Sequence, residues 1–300
     1  MLGIIFVFIA CLFWGFDTLF RYPLVMKGFH PVLLVSIEHL ILTLIFASGF
    51  VFKLNKLKKL KLDHIICFLM VGSVGSALAT VAFTKSFLYL NPSLVILLQK
   101  FQPVFAVSMA AIFLKEKLNR GFLLWSSFSF FGGILISYPD ILTIKDLLNE
   151  QSIFSLTNDT LKGYGLVFVS ILGWASATVF GKKLTQLGYN TKQILGGRFL
   201  TGFVTLIWFC PLDVNLLLVE VRDYLQILLM VFISGVLAMS LYYQGMMKLQ
   251  AKNLAIVEMF FPLSAVIINW YFLDKHLLLV QLIGGVILIF GSIIIQFKKY

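Results

Sequence analysis

Residues 13–29 read FWGFDTLFRYPLVMKGF, and residues 173–189 read GWASATVFGKKLTQLGY. At an offset of 160, Trp14 falls on Trp174, Phe20 on Phe180 and Gly28 on Gly188. A second pair lies further on. LLQKFQPVFAVSMAAIFLKEKL, residues 97–118, falls on IVEMFFPLSAVIINWYFLDKHL, residues 256–277, at an offset of 159. There Pro103 meets Pro262 and Phe113 meets Phe272, and beyond the stretch Gly132 meets Gly291. The chain is therefore a duplication, and what was duplicated decides the fold.

The composition names the solvent. Of 300 residues, 60% are hydrophobic and 12% charged, with a mean hydropathy of +0.98. Soluble domains carry about 25% charged residues, so this chain belongs in a bilayer. About 20 apolar residues cross the hydrocarbon core as a helix. Ten such segments can be laid out: 2–20, 31–52, 65–90, 92–114, 121–138, 163–182, 192–210, 224–247, 253–273 and 278–296. Asn91-Pro92 marks the turn that divides the long apolar stretch 65–114. One copy of the repeat holds five helices. Five is odd, so the second copy enters the membrane from the opposite side. The expected fold is an all-α integral membrane protein with ten transmembrane helices in two inverted repeats, 1–138 and 163–300, joined by a polar extracytoplasmic loop, 139–162. Inverted repeats hold their ligand between the halves, near the midplane.

Cytoplasmic loops are enriched in Lys and Arg. With the N-terminus inside, the inside loops hold 15 of them and the outside loops 6, Arg21 being counted outside. That bias places both termini in the cytoplasm. The net charge of +11 then reflects loop asymmetry and not nucleic-acid binding. The basic stretch KLNKLKKLKLDH, residues 53–64, reads as a contact with anionic lipid. Cys11, Cys67 and Cys210 lie in apolar runs and read as small buried hydrophobes. The N-terminus lacks a positive leader and a cleavage site, and reads as the first transmembrane helix.

Order, duplication and motifs together resemble the EamA-type drug/metabolite transporter superfamily. The residues that carry the resemblance are a tryptophan late in the first helix of each half and the pattern P…LKEKL, with Glu116, after the fourth helix. The second half departs from that pattern, with Lys275 where a glutamate would stand. The resemblance implies an arginine early in the second helix of each half. Arg198 fits in the second half, while the first half has Glu38. It further implies a transporter of small organic solutes or amino acids, with a cavity bounded by helices 1, 3, 4, 6, 8 and 9. A bacterial inner membrane is the expected location.

Six charges fall within the ten segments: Asp17, Glu38, Lys85, Lys100, Arg198 and Glu258. A charge at the bilayer centre costs roughly 2.5–3.5 kcal/mol on insertion scales, so these should be paired or wet. At a rise of about 1.5 Å per residue, Asp17, Glu38, Lys85 and Lys100 lie in the outer half, and Arg198 and Glu258 in the inner half. Asp17 reads as a counter-charge for Lys85 or Lys100, or as a ligand group. Lys85 can also snorkel outward. Glu38 and Arg198 hold matched repeat positions and read as gating or structural pins; Arg198 and Glu258 form a candidate inner gate. Glu258 matches Gln99. Tyr242, Tyr243 and Gln244 match Phe83, Thr84 and Lys85. The candidate substrate-binding residues are Trp14, Asp17, Lys85, Gln99, Lys100, Trp174, Tyr243 and Glu258. The two tryptophans are equally readable as members of the interfacial belt.

No P-loop, H-E-x-x-H or G-x-S-x-G pattern is present. The four histidines are scattered. A lipid-modifying membrane enzyme is therefore the weaker reading, and a channel or receptor the third. No cofactor or metal is expected. The partners expected are a small-molecule substrate, amino-acid-like or otherwise charged or zwitterionic, the lipid bilayer and a coupling proton or ion. Small-residue stretches in helices 5 and 10, FGGILIS and IGGVILIFGS, suit either packing within the chain or a homodimer.

Overall fold

The computed structural model describes residues 2–46, 61–113, 120–148, 154–211, 220–246, 248–249, 257–258 and 260–297, apart from the side chains of 143–148, 154–157, 243, 246 and 296. The described residues form ten helical rods and no strand. They are α1 (Leu2–Met26), α2 (Pro31–Phe46), α3 (Leu62–Ser86), α4 (Pro92–Phe113) and α5 (Arg120–Leu148). The second half supplies α6 (Phe154–Gln186), α7 (Thr191–Ile207), α8 (221–246), α9 (Phe260–Leu273) and α10 (Leu279–Phe297). Six rods are long and apolar enough to cross a membrane unaided, and α2, α9 and α10 are shorter apolar helices. The remaining basic run Lys53–Lys59, Glu116 with Lys115 and Lys117, and Lys252 lie outside the described residues.

Two boundaries differ from the sequence reading. First, α1 runs to Met26, six residues past the expected end, so Arg21 lies inside a helix and not in a loop. Second, the polar segment 139–162 is largely helical. α5 continues to Leu148 and α6 begins at Phe154, and the hydroxyl of Tyr164 in α6 donates to Asp140 in the extension of α5 at 2.6 Å.

The duplication is visible in backbone detail. Two residues past the end of α1 stands Gly28 with φ +92°, and two past the end of α6 stands Gly188 with φ +89°. Each glycine takes the left-handed conformation that closes a helix. In both turns the same bonds recur: Gly28 N–H to Val25 O with Phe29 N–H to Leu24 O, and Gly188 N–H to Thr185 O with Tyr189 N–H to Leu184 O. α3 widens into a π-helical stretch at Met70–Leu78, and α8 does so at the matched Val231–Leu237. In α4 the ladder tightens at Gln99–Phe101. Pro103 has no N–H to offer Gln99, and Gln102 N–H takes the Gln99 carbonyl instead. Asn91 caps α4 through Ser93 N–H at 2.9 Å, with Pro92 in the first turn.

Packing interleaves the halves. α1 packs on α8 and α9 of the second half, and α6 packs on α3 and α4 of the first. The matched helices α2 and α7 pair on one flank, and α5 and α10 on the other. The last pair approaches through the small residues noted in the sequence: a Cβ on Gly132 would lie 2.6 Å from Leu288 N. That face is thus occupied within the chain. The two interleaved units, α1–α8–α9 and α6–α3–α4, leave a cavity between them.

Candidate functional site: a cavity between the interleaved halves

The cavity has a volume of about 570 Å³. Its chemistry differs from one end to the other. At the end formed by the C-terminal part of α1, Arg21 is 3% exposed. Its guanidinium donates to both oxygens of Asp17, at 2.7 and 3.0 Å, to Glu38 at 3.0 Å and to Thr84 Oγ1 at 3.2 Å. Ser234 Oγ donates to Asp17 at 2.8 Å. One buried cation thus holds two carboxylates and reaches from α1 to α2 and α3. Planar, bidentate guanidinium–carboxylate pairing is the arrangement that best satisfies such charges away from water. Outside it, the ring of Tyr22 meets that of Phe87 at 6.0 Å. Lys27 pairs with Asp223 at 2.8 Å, and Gln226 Nε2 bonds the Phe20 carbonyl at 2.7 Å, both tying α1 to α8. This end is sealed.

The repeat equivalents of Asp17 and Arg21 are Ala177 and Gly181, which also line the cavity. Around them the lining residues Thr178, Lys182 and Thr185 are exposed. The cavity therefore opens beside the α6–α7 turn.

Between the ends, the wall is aromatic. Trp14 and Tyr242 stand 5.1 Å apart between ring centroids, and Trp174 and Phe83 stand 5.3 Å apart. Phe261 joins the first pair, 6.2 Å from Trp14, and Lys100 lies 5.2 Å over its ring. The Tyr242 hydroxyl donates to Glu258, and Lys100 is close enough to attract the same carboxylate. Arg198 donates to Ser76 Oγ at 3.1 Å and to the Gly75 carbonyl at 3.5 Å, and attracts Glu38. His39 is 1% exposed; its Nδ1 bonds the Val35 carbonyl at 3.0 Å, and its Nε2 meets Ser76 Oγ at 3.0 Å. The carbonyl fixes Nδ1 as the donor, so Ser76 donates to Nε2 while accepting from Arg198.

The wide turns of α3 and α8 explain some of these bonds. A π-turn breaks the i→i−4 ladder and turns carbonyls toward neighbouring helices. The Gly75 carbonyl takes Arg198; its repeat equivalent, the Ser234 carbonyl, takes Trp14 Nε1 at 3.2 Å.

The sequence-stated candidates distribute as follows. Trp14, Asp17, Glu38, Gln99, Lys100, Trp174, Arg198 and Glu258 all line the one cavity. Lys85 does not: it is exposed, and the residue of that turn reaching the charged cluster is Thr84. Neither Lys85 nor Lys100 is the salt-bridge partner of Asp17; that partner is Arg21. The side chain of Tyr243 lies outside the described residues. Two further residues that the sequence reading does not single out, Arg21 and His39, line the cavity. Arg21 was counted as a loop residue, although Asp and Arg four positions apart share a helix face. His39 carried no signal beyond its place beside Glu38.

An all-helical, duplicated membrane protein with a cavity between interleaved halves, sealed at one end, has the architecture of a membrane transporter. The sequence model of the EamA-like transporter family matches residues 1–138 and 161–297. The chain belongs to that family, and with it to the drug/metabolite transporter superfamily. Among relatives, it is 27% identical to "Riboflavin transporter ImpX" of Fusobacterium nucleatum subsp. nucleatum, over 97% of this chain and 96% of that one. It is 24% identical to "Uncharacterized transporter YyaM" of Bacillus subtilis, over 87% and 82% of the two chains. It is 21% identical to an "Uncharacterized transporter" of Archaeoglobus fulgidus, over 96% of both. A solved crystal structure 12% identical in sequence superposes with a TM-score of 0.58, covering 97% of this chain and 94% of that one, and shares the fold.

Proposed function

We propose that this transporter moves a small organic solute by alternating access, as a secondary transporter in a bacterial inner membrane with both termini cytoplasmic. The observation that carries the reading is the asymmetric cavity: Arg21, Asp17 and Glu38 close one end, and exposed Lys182 and Thr185 line the other. In the proposed orientation the open end faces the cytoplasm. Rocking the unit α1–α8–α9 against α6–α3–α4 opens the sealed end by parting Arg21 from Thr84, while Asp17, on the same helix, stays with its arginine. Labelling of cysteines at Asn149 and Lys58 tests the orientation: outside and inside respectively are expected, and the same side for both overturns it.

For the solute, riboflavin is the first candidate, from the name of the Fusobacterium relative. The wall supports it over the charged or zwitterionic solute expected from sequence. Arg21 is held by Asp17 and Glu38, Glu258 by Tyr242, and Arg198 by Ser76 and Gly75, while Lys100 lies over Phe261, and the wall between the two ends is largely aromatic. Ligand sites of this size combine apolar walls with a few placed polar groups. Counterflow of labelled riboflavin in proteoliposomes is the test. Saturable exchange is expected, insensitive to excess amino acids. Exchange of amino acids with no flavin exchange reverses the assignment. A protonophore in the same assay tests for a coupling proton.

A further inference from the structure

The two aromatic pairs in the cavity are one pair seen from both halves. Trp14 is equivalent to Trp174, and Tyr242 to Phe83. Their geometry agrees: centroids 5.1 and 5.3 Å apart, ring planes inclined at 49° and 54°. The third member breaks the symmetry. In the Trp14–Tyr242 copy the tyrosine hydroxyl donates to Glu258. In the Trp174–Phe83 copy the residue equivalent to Glu258 is Gln99, and phenylalanine has no hydroxyl to meet it. Gln99 lines the cavity and is 7% exposed, and its Nε2 is buried without a hydrogen-bond partner. A buried amide N–H left unmade is a standing penalty, and pairing relieves it.

We propose, resting on the transporter reading above, that Gln99 is the group that recognises the substrate: its amide turns into the cavity and donates to an acceptor on the edge of a planar, uncharged heteroaromatic ring seated against Trp174 and Phe83. The acceptor is a ring carbonyl or an unprotonated ring nitrogen. A carboxylate is disfavoured because Glu38 and Glu258 line the same space, Arg198 already donates to Ser76 and Gly75, and Lys100 lies over Phe261 beside Glu258. A purely aliphatic solute forgoes the aromatic wall. Sites that hydrogen-bond a ligand discriminate against analogues lacking the group, because the protein's buried polar atom is then left unpaired.

The test uses the full chain in nanodiscs and three probes: riboflavin, lumichrome (the tricyclic ring without the polyol chain) and ribitol (the polyol alone). Flavin fluorescence quenching reads binding, and thermal midpoints read folding. Wild type should bind riboflavin and lumichrome in competition and ignore ribitol. Gln99→Leu should weaken both ring ligands by about tenfold or more. Phe83→Tyr should weaken them by a smaller factor, because the new hydroxyl occupies the amide. The double variant Phe83→Tyr/Gln99→Glu copies the Tyr242–Glu258 pair; it should fold like wild type and lose ring binding. Undiminished lumichrome binding in folded Gln99→Leu overturns the assignment. So does ribitol competing where lumichrome does not. If wild type exchanges another solute and binds neither ring, the substrate class fails and the transporter reading stands. If it exchanges no solute at all, the transporter reading fails first and takes the assignment with it.

Discussion

The two ends of the cavity are built on one repeated backbone and closed by different chemistry. Asp17 and Arg21 at the sealed end stand where Ala177 and Gly181 stand at the open end. Glu38 at the sealed end corresponds to Arg198, which bonds α3 through Ser76 and Gly75. In the proposed alternating-access cycle, the duplication supplies the symmetry by which either end could close. At these positions one end carries an ion-paired charge cluster, the latch, and the other the small side chains of Ala177 and Gly181, beside the exposed Lys182. The sealed end thus rests on charge pairing, and in the proposed alternating-access cycle closure of the opposite end would lack that pairing at Ala177 and Gly181.

Removing the arginine should have the largest effect. Arg21→Met leaves buried Glu38 and half-buried Asp17 without their cation, and breaking a buried pair in this way costs about 3–5 kcal/mol. The thermal midpoint should fall steeply, with partial recovery in the triple variant Arg21→Met/Asp17→Asn/Glu38→Gln. A change below about 1 kcal/mol would show that charge does not hold this end. Next in size is Thr84→Val, which is near-isosteric and removes a bond to a charged donor, worth roughly 1.5–3 kcal/mol. Since Thr84 is the α3 end of the latch, the loss falls on the sealed state. A cysteine at Thr18 should then react faster with an impermeant maleimide added on the side of the α1–α2 turn. An unchanged rate removes Thr84 from the latch.

A smaller effect is expected from Lys27→Met. Its partner Asp223 is 12% exposed but Lys27 itself is 50% exposed, so solvent screens the pair and the loss should stay within about 1 kcal/mol. A loss as large as that of Arg21→Met would move the latch outward from the membrane interior. The smallest stability change belongs to the open end. A Cβ on Gly181 meets nothing within 4 Å, and alanine is the better helix former, so Gly181→Ala should cost no stability. Counterflow should nonetheless slow, because the added methyl obstructs closure by contact. Unimpaired turnover would refute closure at Gly181.

Much of the fold was legible because bilayer and duplication both leave coarse marks. Apolar runs gave ten helices, and Asn91-Pro92 located the α3–α4 turn because an asparagine cap followed by proline suits a helix start. The end of α1 was misread because Arg21, Tyr22 and Pro23 look like an exit from the membrane. Only tertiary pairing with Glu38 and Thr84 makes an arginine tolerable there. The extensions of α5 and α6 were hidden by polar composition, which does not distinguish a solvated helix from a loop. At the site, depth along each helix grouped Asp17 with Glu38 correctly but proposed the wrong cation. Depth gives no rotation about the helix axis, and rotation is what turns Lys85 outward and Arg21 inward. The asymmetry at Gln99 was present in the alignment of the halves, yet a missing hydroxyl at Phe83 becomes a missing partner only when the side chains are seen together.

The matched wide turns of α3 and α8 also date an event. A π-turn arises when a helix accommodates one residue more than its regular winding holds, so each records an insertion. Met70–Leu78 and Val231–Leu237 occupy equivalent places in the two repeats, and each lends a carbonyl to a neighbouring helix, at Gly75 and Ser234. Two independent insertions at one register would be a coincidence. A single insertion in a five-helix ancestor, copied when the gene doubled, accounts for both.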